Sequence, residues 1–223
     1  CVEAHEVHTI EVGGIVWGAT GCTGKIVVEE LHQPYGNHTD QLTGAIASRA
    51  AEKLRAVIDE VGCDKVPCLL ADGSDRAALD ALVAKTRVVL STVGPYALYG
   101  SLLVAACAAS GTHYCDLTGE VQWMRLMIDA HHDEAVRTGA KIVHTCGFDS
   151  IPSDLGVHFL QGAIQERLGQ PAEQVKYRLV SAAGGVSGGT VASMLNMMDE
   201  VAENPQLLTV LADPYALNPL NTV

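Results

Sequence analysis

The chain has 223 residues, which suits one large domain or one complete domain with part of another. Hydrophobic residues make up 48% and charged residues 18%, a balance that supports a buried core and excludes a disordered chain. The net charge of −12 argues against nucleic acid as a partner, because an acidic surface repels phosphate backbones, although a local pocket can still bind a nucleotide.

The seven cysteines are typical of reduced thiols, because their number is odd and no two of them form a C-x-x-C pair. Their spacing predicts no metal site. No apolar run approaches the roughly 18 residues of a membrane span, and the first nine residues do not resemble a signal peptide. The sequence therefore predicts a cytoplasmic protein.

Six short apolar runs, rich in Val, Ile and Leu, alternate with helix-length stretches. Little two-residue alternation occurs within the runs, as is typical of strands buried on both faces. The runs are Ile10–Trp17, Leu42–Ser48, Val66–Ala71, Arg87–Val93, Thr112–Cys115 and Lys141–Cys146. Six strands with five intervening helices predict an α/β fold, a doubly wound parallel Rossmann sheet in the order 3-2-1-4-5-6.

The helices between these strands carry apolar residues at helical spacing. We expect Ser74 to cap the helix that carries Leu79, Leu82 and Val83. We expect Gly139 to end the predicted helix Val121–Arg137. The other predicted helices are Ala50–Val61 and Ser101–Ala109.

The pattern changes after about residue 150, which divides the chain into residues 10–150 and residues 151–223. The second part is predicted to contain the helix Ser153–Leu168 and the alternating strand Gln174–Ala182. A glycine-rich turn over residues 184–189 and a helix over Val191–Ala202 follow. This mixture differs from the regular alternation of strands and helices before residue 150.

The loop after the first predicted strand has three glycines at the spacing G-x-x-G-x-x-G. Gly18 permits a tight turn, Gly21 allows the backbone to approach a pyrophosphate, and Gly24 allows the helix to pack closely. The spacing is one residue longer than G-x-G-x-x-G, in a form common among NADP-binding folds. The predicted cofactor-binding residues of this loop are Gly18, Ala19, Thr20, Gly21, Cys22, Thr23 and Gly24.

The end of the second predicted strand indicates which dinucleotide is bound. An NAD enzyme usually has Asp or Glu here, whereas this chain has Ser48 and Arg49. A guanidinium suits a ribose 2′-phosphate, so the sequence predicts NADP(H), with Lys53 as a helper. The alternative is that Arg49 is a solvated surface charge. Asp72, after the third strand, either binds the adenine edge or caps the next helix.

The fourth strand runs into Thr92, Val93, Gly94 and Pro95, which we expect to face the cofactor, with Gly94 near the nicotinamide ribose. Two tyrosines follow, Tyr96 and Tyr99, which line a substrate cleft or pack against the sheet. After the fifth strand, Asp116 and Glu120 are candidate proton donors or substrate anchors. For Glu120 the alternative is an acidic residue in the first turn of its helix.

Together these stretches resemble the saccharopine dehydrogenase-like oxidoreductases, a group that includes bacterial trans-acting enoyl reductases and eukaryotic relatives. The matching segments are Gly18–Lys25, Gly94–Gly100, Tyr114–Glu120, Gly147–Gly156 and Ser187–Ser193. The resemblance implies an NADP-binding Rossmann domain at residues 10–150. It also implies that residues 151–223 are the start of a second, mixed α/β domain that covers the substrate and whose remainder is absent. Cys22 departs from the family, which usually has an aromatic residue there.

The resemblance also implies reductive chemistry on an enoyl or related lipid-type intermediate, with a small-molecule or lipid-type substrate. By position it makes Asp116 and Cys146 the candidate catalytic residues. Eukaryotic relatives imply peripheral association with membranes or lipid droplets, and a homodimer is compatible with the family.

Two other functions compete with this one. A short-chain dehydrogenase would use a Tyr-x-x-x-Lys pair, and no tyrosine of this chain has lysine four residues later. A non-catalytic NADP-binding sensor or lipid-surface scaffold would keep the fold without turnover.

Overall fold

A six-stranded parallel sheet forms the centre of the structure, a computed structural model that describes residues 12–35, 43–181, 183, 185 and 187–219. Its order is β3-β2-β1-β4-β5-β6, which confirms the predicted Rossmann topology. The strands are β1 Val12–Trp17, β2 Gly44–Ser48, β3 Cys68–Leu70, β4 Thr86–Ser91, β5 His113–Asp116 and β6 Ile142–Val143.

The strands coincide with the predicted apolar runs, although most are shorter. The predicted first residues Ile10 and Leu42 lie outside the described residues. In the parallel register, Trp17 at the end of β1 pairs with Ala47 of β2 and with Ser91 of β4. The carboxyl ends of these three strands therefore meet where the strand order reverses, which is where open α/β sheets bind their ligands.

Helices cover the sheet and continue beyond it. They are α1 Cys22–Tyr35, α2 Ala51–Val61, α3 Arg76–Val83, α4 Tyr96–Tyr99, α5 Ser101–Ser110, α6 Val121–Thr138, α7 Ile151–Leu168, α8 Gly188–Glu203 and α9 Leu207–Ala212. The sequence predicted five helices between the strands, and the single turn α4 is additional. Gly139 ends α6 in the left-handed conformation, as expected.

Neighbouring residues of each strand point to opposite faces, so the sheet has two apolar cores. In β1, Ile15 belongs to one buried cluster and Val16 to the other. Ile15 lies in the cluster that α3, α5 and α6 complete with Leu79, Leu103 and Trp123. Val16 lies in the cluster that α1 and α2 complete with Val28, Leu54 and Val57. Burial on both faces explains why the strands lack two-residue alternation.

The second part of the chain differs from its prediction. Residues 174–181 form no strand among the described residues, and Val180 is 94% exposed. A strand needs a neighbour to satisfy its backbone groups, and no described segment pairs with this one. The predicted Ala182 and two positions of the glycine-rich turn, Gly184 and Val186, lie outside the described residues. The division at residue 150 stays a prediction.

The helices of this part were predicted, but their starts were misplaced. Helix α7 begins at Ile151 with Pro152 in its first turn, and the hydroxyl of Ser153 donates to the carbonyl of Ser150. Helix α8 begins at Gly188, where the side chain of Ser187 accepts from the N–H of Thr190. No described side chain of α7, α8 or α9 is buried.

The cap of α3 was predicted one residue too early. Asp75, not Ser74, is the N-cap, and its carboxylate accepts from the N–H groups of Ala77 and Ala78. Ser74 instead donates its hydroxyl to Asp72 at 2.7 Å. Both residue types favour caps, so the sequence alone does not decide between them.

We therefore expect Asp75→Ala to lower the free energy of unfolding by about 1 kcal/mol, because two N–H groups at the start of α3 lose their acceptor. Ser74→Ala is the control and should cost clearly less. Urea titrations of both variants measure the difference. A larger loss for Ser74→Ala would refute the cap assignment.

Candidate functional site

The turn after β1 depends on Gly18. Its φ is +88°, in the left-handed region that favours glycine. A Cβ at this position would lie 2.5 Å from Cγ2 of Val93 and 2.9 Å from Oγ1 of Thr92. Gly18 therefore allows both the turn and the close approach of the segment that follows β4.

The other two glycines of the loop differ in what surrounds them. A Cβ on Gly24 would clash with the carbonyl group of Gly18, so glycine is needed for α1 to pack against the loop. A Cβ on Gly21 would lie 3.5 Å from the carbonyl oxygen of Gly18, and Gly21 is exposed. The protein itself leaves room at Gly21, so a requirement for glycine there would come from a ligand.

The N-terminus of α1 faces the same edge of the sheet. The N–H of Gly21 donates to the carbonyl of Gly18 at 3.0 Å, and the helix begins at the next residue, Cys22. Cys22 is exposed and Thr23 is half-buried. The first N–H groups of a helix lack partners within the helix and, with the helix dipole, favour a phosphate.

The end of β2 brings together Thr20, Ser48 and Arg49. The hydroxyls of Thr20 and Ser48 are 3.2 Å apart, which joins the glycine loop, residues 18–24, to β2. Arg49 is exposed, and no carboxylate in the described part of the chain lies within ion-pair distance of its guanidinium. Lys53, exposed in the first turn of α2, is the second cation at this edge.

Asp72, at the end of β3, organises its own loop. Its carboxylate accepts from the N–H of Ser74 at 2.9 Å and from the Ser74 hydroxyl. These hydrogen bonds lower the pKa of Asp72, the backbone one most, with a smaller contribution from the charge of Arg49. The alternative that Asp72 caps the next helix is wrong, because Asp75 does so. Binding of the adenine edge stays a prediction.

Thr92 joins the segment after β4 to the glycine loop. Its N–H donates to the carbonyl of Trp17 at 3.0 Å, and its hydroxyl donates to the carbonyl of Gly18 at 3.2 Å. Val93 lies against Gly18, and the Gly94–Pro95 peptide bond that follows is cis. Thr92 and Val93 therefore lie directly against the glycine loop at the ends of β1 and β4.

Asp116 is buried and uses both carboxylate oxygens. Oδ1 accepts from the N–H groups of Thr118 at 3.1 Å and Thr145 at 3.2 Å. Oδ2 lies 2.7 Å from Nδ1 of His144, whose ring is edge-on to Trp123. Asp116 therefore ties the end of β5 to the segment after β6, and its assignment as a catalytic residue stays a prediction.

Cys146 lies beside this network and is exposed. Its N–H donates to the backbone carbonyl of Asp116 at 2.6 Å. The residue is exposed as a whole, but partial desolvation of its sulfur raises the pKa of the Cys146 thiol, and the negative charge of Asp116 raises it further. Cys146 therefore holds its proton at neutral pH, and its catalytic assignment also stays a prediction.

The two tyrosines after β4 have different environments. Tyr96 is buried, packs on Trp123 and donates its hydroxyl to the carbonyl of Ser91 at 3.1 Å. Burial, reinforced by the charge of Asp116, raises its pKa well above the ordinary value. Packing of Tyr96 against the sheet is thus confirmed. Tyr99 is exposed.

Sequence reasoning missed two contacts at this edge. His144 was assigned no role, although it contacts the buried Asp116. Glu120 was predicted to be a proton donor or substrate anchor, or else the acidic residue in the first turn of its own helix. Neither alternative included the contact that is observed, in which its carboxylate accepts from the N–H groups of Tyr96 and Ala97, at the start of α4. The signal for His144 was its position at the end of the sixth run.

Comparison with known proteins places the chain in a family. Residues 15–143 match the family described as Saccharopine dehydrogenase NADP binding domain. The chain belongs to this family. The match spans β1 to β6 and includes the glycine loop, so the prediction of NADP(H) as the cofactor and the resemblance to saccharopine dehydrogenases are both confirmed.

Mycobacterial proteins are similar over nearly the whole chain. A Mycobacterium tuberculosis protein provisionally named a trans-acting enoyl reductase is 44% identical over 207 residues, which are 92% of this chain and 48% of that protein. A trans-acting enoyl reductase of Mycobacterium leprae is 41% identical over 206 residues, 91% of this chain and 48% of its own. The chain thus spans about half the length of these curated relatives.

Among solved structures, the saccharopine dehydrogenase (L-Glu forming) of Saccharomyces cerevisiae is similar, with a TM-score of 0.52. The likeness covers 67% of this chain and 32% of the yeast protein, at 18% sequence identity. At that identity it shows the fold alone, and it supports the same Rossmann arrangement.

The glycine loop allows a paired test. Gly24→Ala should lower the free energy of unfolding by about 1–3 kcal/mol, because its Cβ overlaps the backbone of Gly18. Gly21→Ala is the matched control, and we expect a change within about 0.5 kcal/mol. Thermal and urea unfolding of both variants measure this. Equal losses would show that the loop packs differently.

Proposed function

We propose that this chain holds NADPH for an oxidoreductase that reduces an enoyl or related lipid-type intermediate. The observation that carries the proposal is the glycine loop at the N-terminus of α1, within a chain that belongs to the family. The relatives named trans-acting enoyl reductase, 40–44% identical over about half their length, support the enoyl class of substrate.

The residues present fit the diphosphate of the cofactor. Gly21 is exposed and has no protein neighbour closer than 3.5 Å to a Cβ, so a ligand can approach its backbone. The start of α1 supplies N–H groups and a positive dipole end to a diphosphate there. Thr92 and Val93 hold the loop in place from the β4 side.

The residues at the end of β2 fit a ribose 2′-phosphate. Arg49 offers a guanidinium without an ion-pair partner in the described part of the chain, and Lys53 adds a second charge. The hydroxyls of Ser48 and Thr20 lie next to each other as further hydrogen-bonding groups. A local pair of cations is notable in a chain with a net charge of −12.

The residues after β5 and β6 would face the reacting end of the cofactor, since these strands end at the same edge of the sheet. NADPH supplies a hydride when it is bound, and the protein supplies orientation and a proton. Asp116 is buried, and both of its carboxylate oxygens already contact protein groups. Cys146 is exposed and retains its proton, so it is the better placed proton donor of the two predicted catalytic residues.

The resemblance also predicts peripheral association with membranes or lipid droplets, and it allows a homodimer. These predictions remain part of the proposal. Among the helices in the described ranges, none combines the length with the apolar composition that a membrane span requires.

Arg49 gives a direct test of cofactor selection. Arg49→Ala should raise the Kd for NADPH by about 10- to 100-fold, since a charge-assisted hydrogen bond contributes roughly 1.5–3 kcal/mol, and leave the Kd for NADH within about twofold. Arg55→Ala removes the same charge from α2, where Arg55 acts on Cys68 at the opposite end of β3, and should change neither Kd. Equal weakening of NADPH and NADH by Arg49→Ala would refute the 2′-phosphate site.

Reduction itself is tested by following NADPH absorbance with enoyl-thioester and lipid enone substrates, for this chain and for a protein extended to the length of its relatives. We expect substrate-dependent oxidation of NADPH by the longer protein. Gly21→Val should abolish it, because the side chain would enter the diphosphate position while the fold is kept. NADPH binding without oxidation by any substrate would favour the alternative of a non-catalytic sensor or lipid-surface scaffold.

A further inference from the structure

The carboxylate of Glu120 is a buried hub that the proposed cofactor site does not use directly. Glu120 is 3% exposed. Oε1 accepts from the N–H of Tyr96 at 2.8 Å and from the hydroxyl of Ser193 at 2.7 Å, and Oε2 accepts from the N–H of Ala97 at 2.8 Å. A buried carboxylate is stable only where hydrogen-bond donors surround it, and these three donors meet that need for Glu120.

Two of these donors belong to the segment of residues 92–97, whose first four residues, Thr92 to Pro95, are predicted to face the cofactor. Tyr96 and Ala97 begin α4. Thr92 and Val93, at the start of this segment, contact the glycine loop. The N–H groups at the start of α4 have no partner within the helix, so Glu120 supplies the acceptors they need. Glu120 thus holds Tyr96 and Ala97, at the end of this segment, while Thr92 and Val93, at its start, contact Gly18.

The third donor comes from α8, beyond the predicted domain boundary. Ser193 also lies against the loop itself, since a Cβ on Gly94 would be 3.5 Å from its hydroxyl oxygen. A second contact supports this position, because Gln122 donates to Glu200 of α8 at 2.9 Å. Helix α8 is therefore seated on the segment after β4 by hydrogen bonds to Glu120 and Gln122.

We propose that Glu120 is a positioning residue that fixes residues 94–97 at the nicotinamide end of the cofactor site and seats α8 against them. This rests on the proposed function and on the prediction that Gly94, after the end of β4, lies near the nicotinamide ribose. The three hydrogen bonds that Glu120 accepts are what would hold this segment and α8 in place.

The test compares two ligands that share the adenosine half. Adenosine 2′,5′-bisphosphate carries the 2′-phosphate but no nicotinamide, whereas NADPH carries both. In Glu120→Gln the amide nitrogen cannot accept, so one N–H at the start of α4 loses its partner. We expect the Kd for NADPH to rise about tenfold and the Kd for the bisphosphate to stay within about twofold. The control is Glu134→Gln, which removes the charge of a glutamate on α6 that pairs at the surface with Arg137.

A structural role alone would weaken both ligands equally or neither, and either result overturns the proposal. Failure of the unaltered chain to bind either ligand would overturn the proposed function and this inference together. A selective loss of NADPH in Glu120→Gln, with Glu134→Gln unchanged, supports the inference.

Amide hydrogen exchange decides the matter even where Glu120→Gln does not fold. In the unaltered chain, the amides of Tyr96 and Ala97 should exchange slowly. Ser193→Ala should leave them slow and speed exchange across α8, because only the bond to that helix is lost. Rapid exchange at Tyr96 and Ala97 in the unaltered chain, or no change in α8 on Ser193→Ala, would overturn the proposal.

Discussion

The close contact between Gly24 and the carbonyl group of Gly18 is the constraint on which the rest of the site depends. It allows α1 to begin directly above the end of β1, so that the helix N-terminus and the switch point of the sheet share one place. A side chain at either position would push the helix or the segment after β4 away. The geometry of the glycine loop is therefore a property of packing between protein groups.

Buried carboxylates complete the same edge of the sheet. Asp116 binds the backbone after β6 and His144, and Glu120 binds the backbone after β4 and Ser193. Each residue lies at the end of β5 or just beyond it, and each carboxylate accepts hydrogen bonds from N–H or O–H donors of another segment. Loops at the ends of parallel strands have no sheet partners of their own, and these two residues supply the missing acceptors.

The sequence was sufficient for the parts of the fold that local pattern decides. Runs buried on both faces predicted all six strands, and the topology followed from their alternation with helices. The glycine loop was recognisable because Gly18 and Gly24 meet steric limits that glycine alone satisfies. Contacts between distant residues were not recognisable: Glu120 reaches back 24 positions to Tyr96, and no spacing rule for one helix reveals that.

The wrong expectations have related causes. Ser74 and Asp75 are both good caps, and the backbone geometry that chooses Asp75 depends on the turn that Asp72 forms. Residues 174–181 alternate like a strand, but a strand also needs a neighbour, and no described segment provides one. In both cases the deciding interaction lies outside the local pattern.

The absence of buried side chains from α7, α8 and α9, among the residues described, divides the chain energetically. The buried apolar residues lie between β1 and α6, so this part of the chain contributes most of the free energy of global unfolding. The later helices bury no described side chain fully, so we expect them to open separately, at a smaller free energy. A protease would consequently trim the chain from its carboxyl side first and spare the dinucleotide-binding unit.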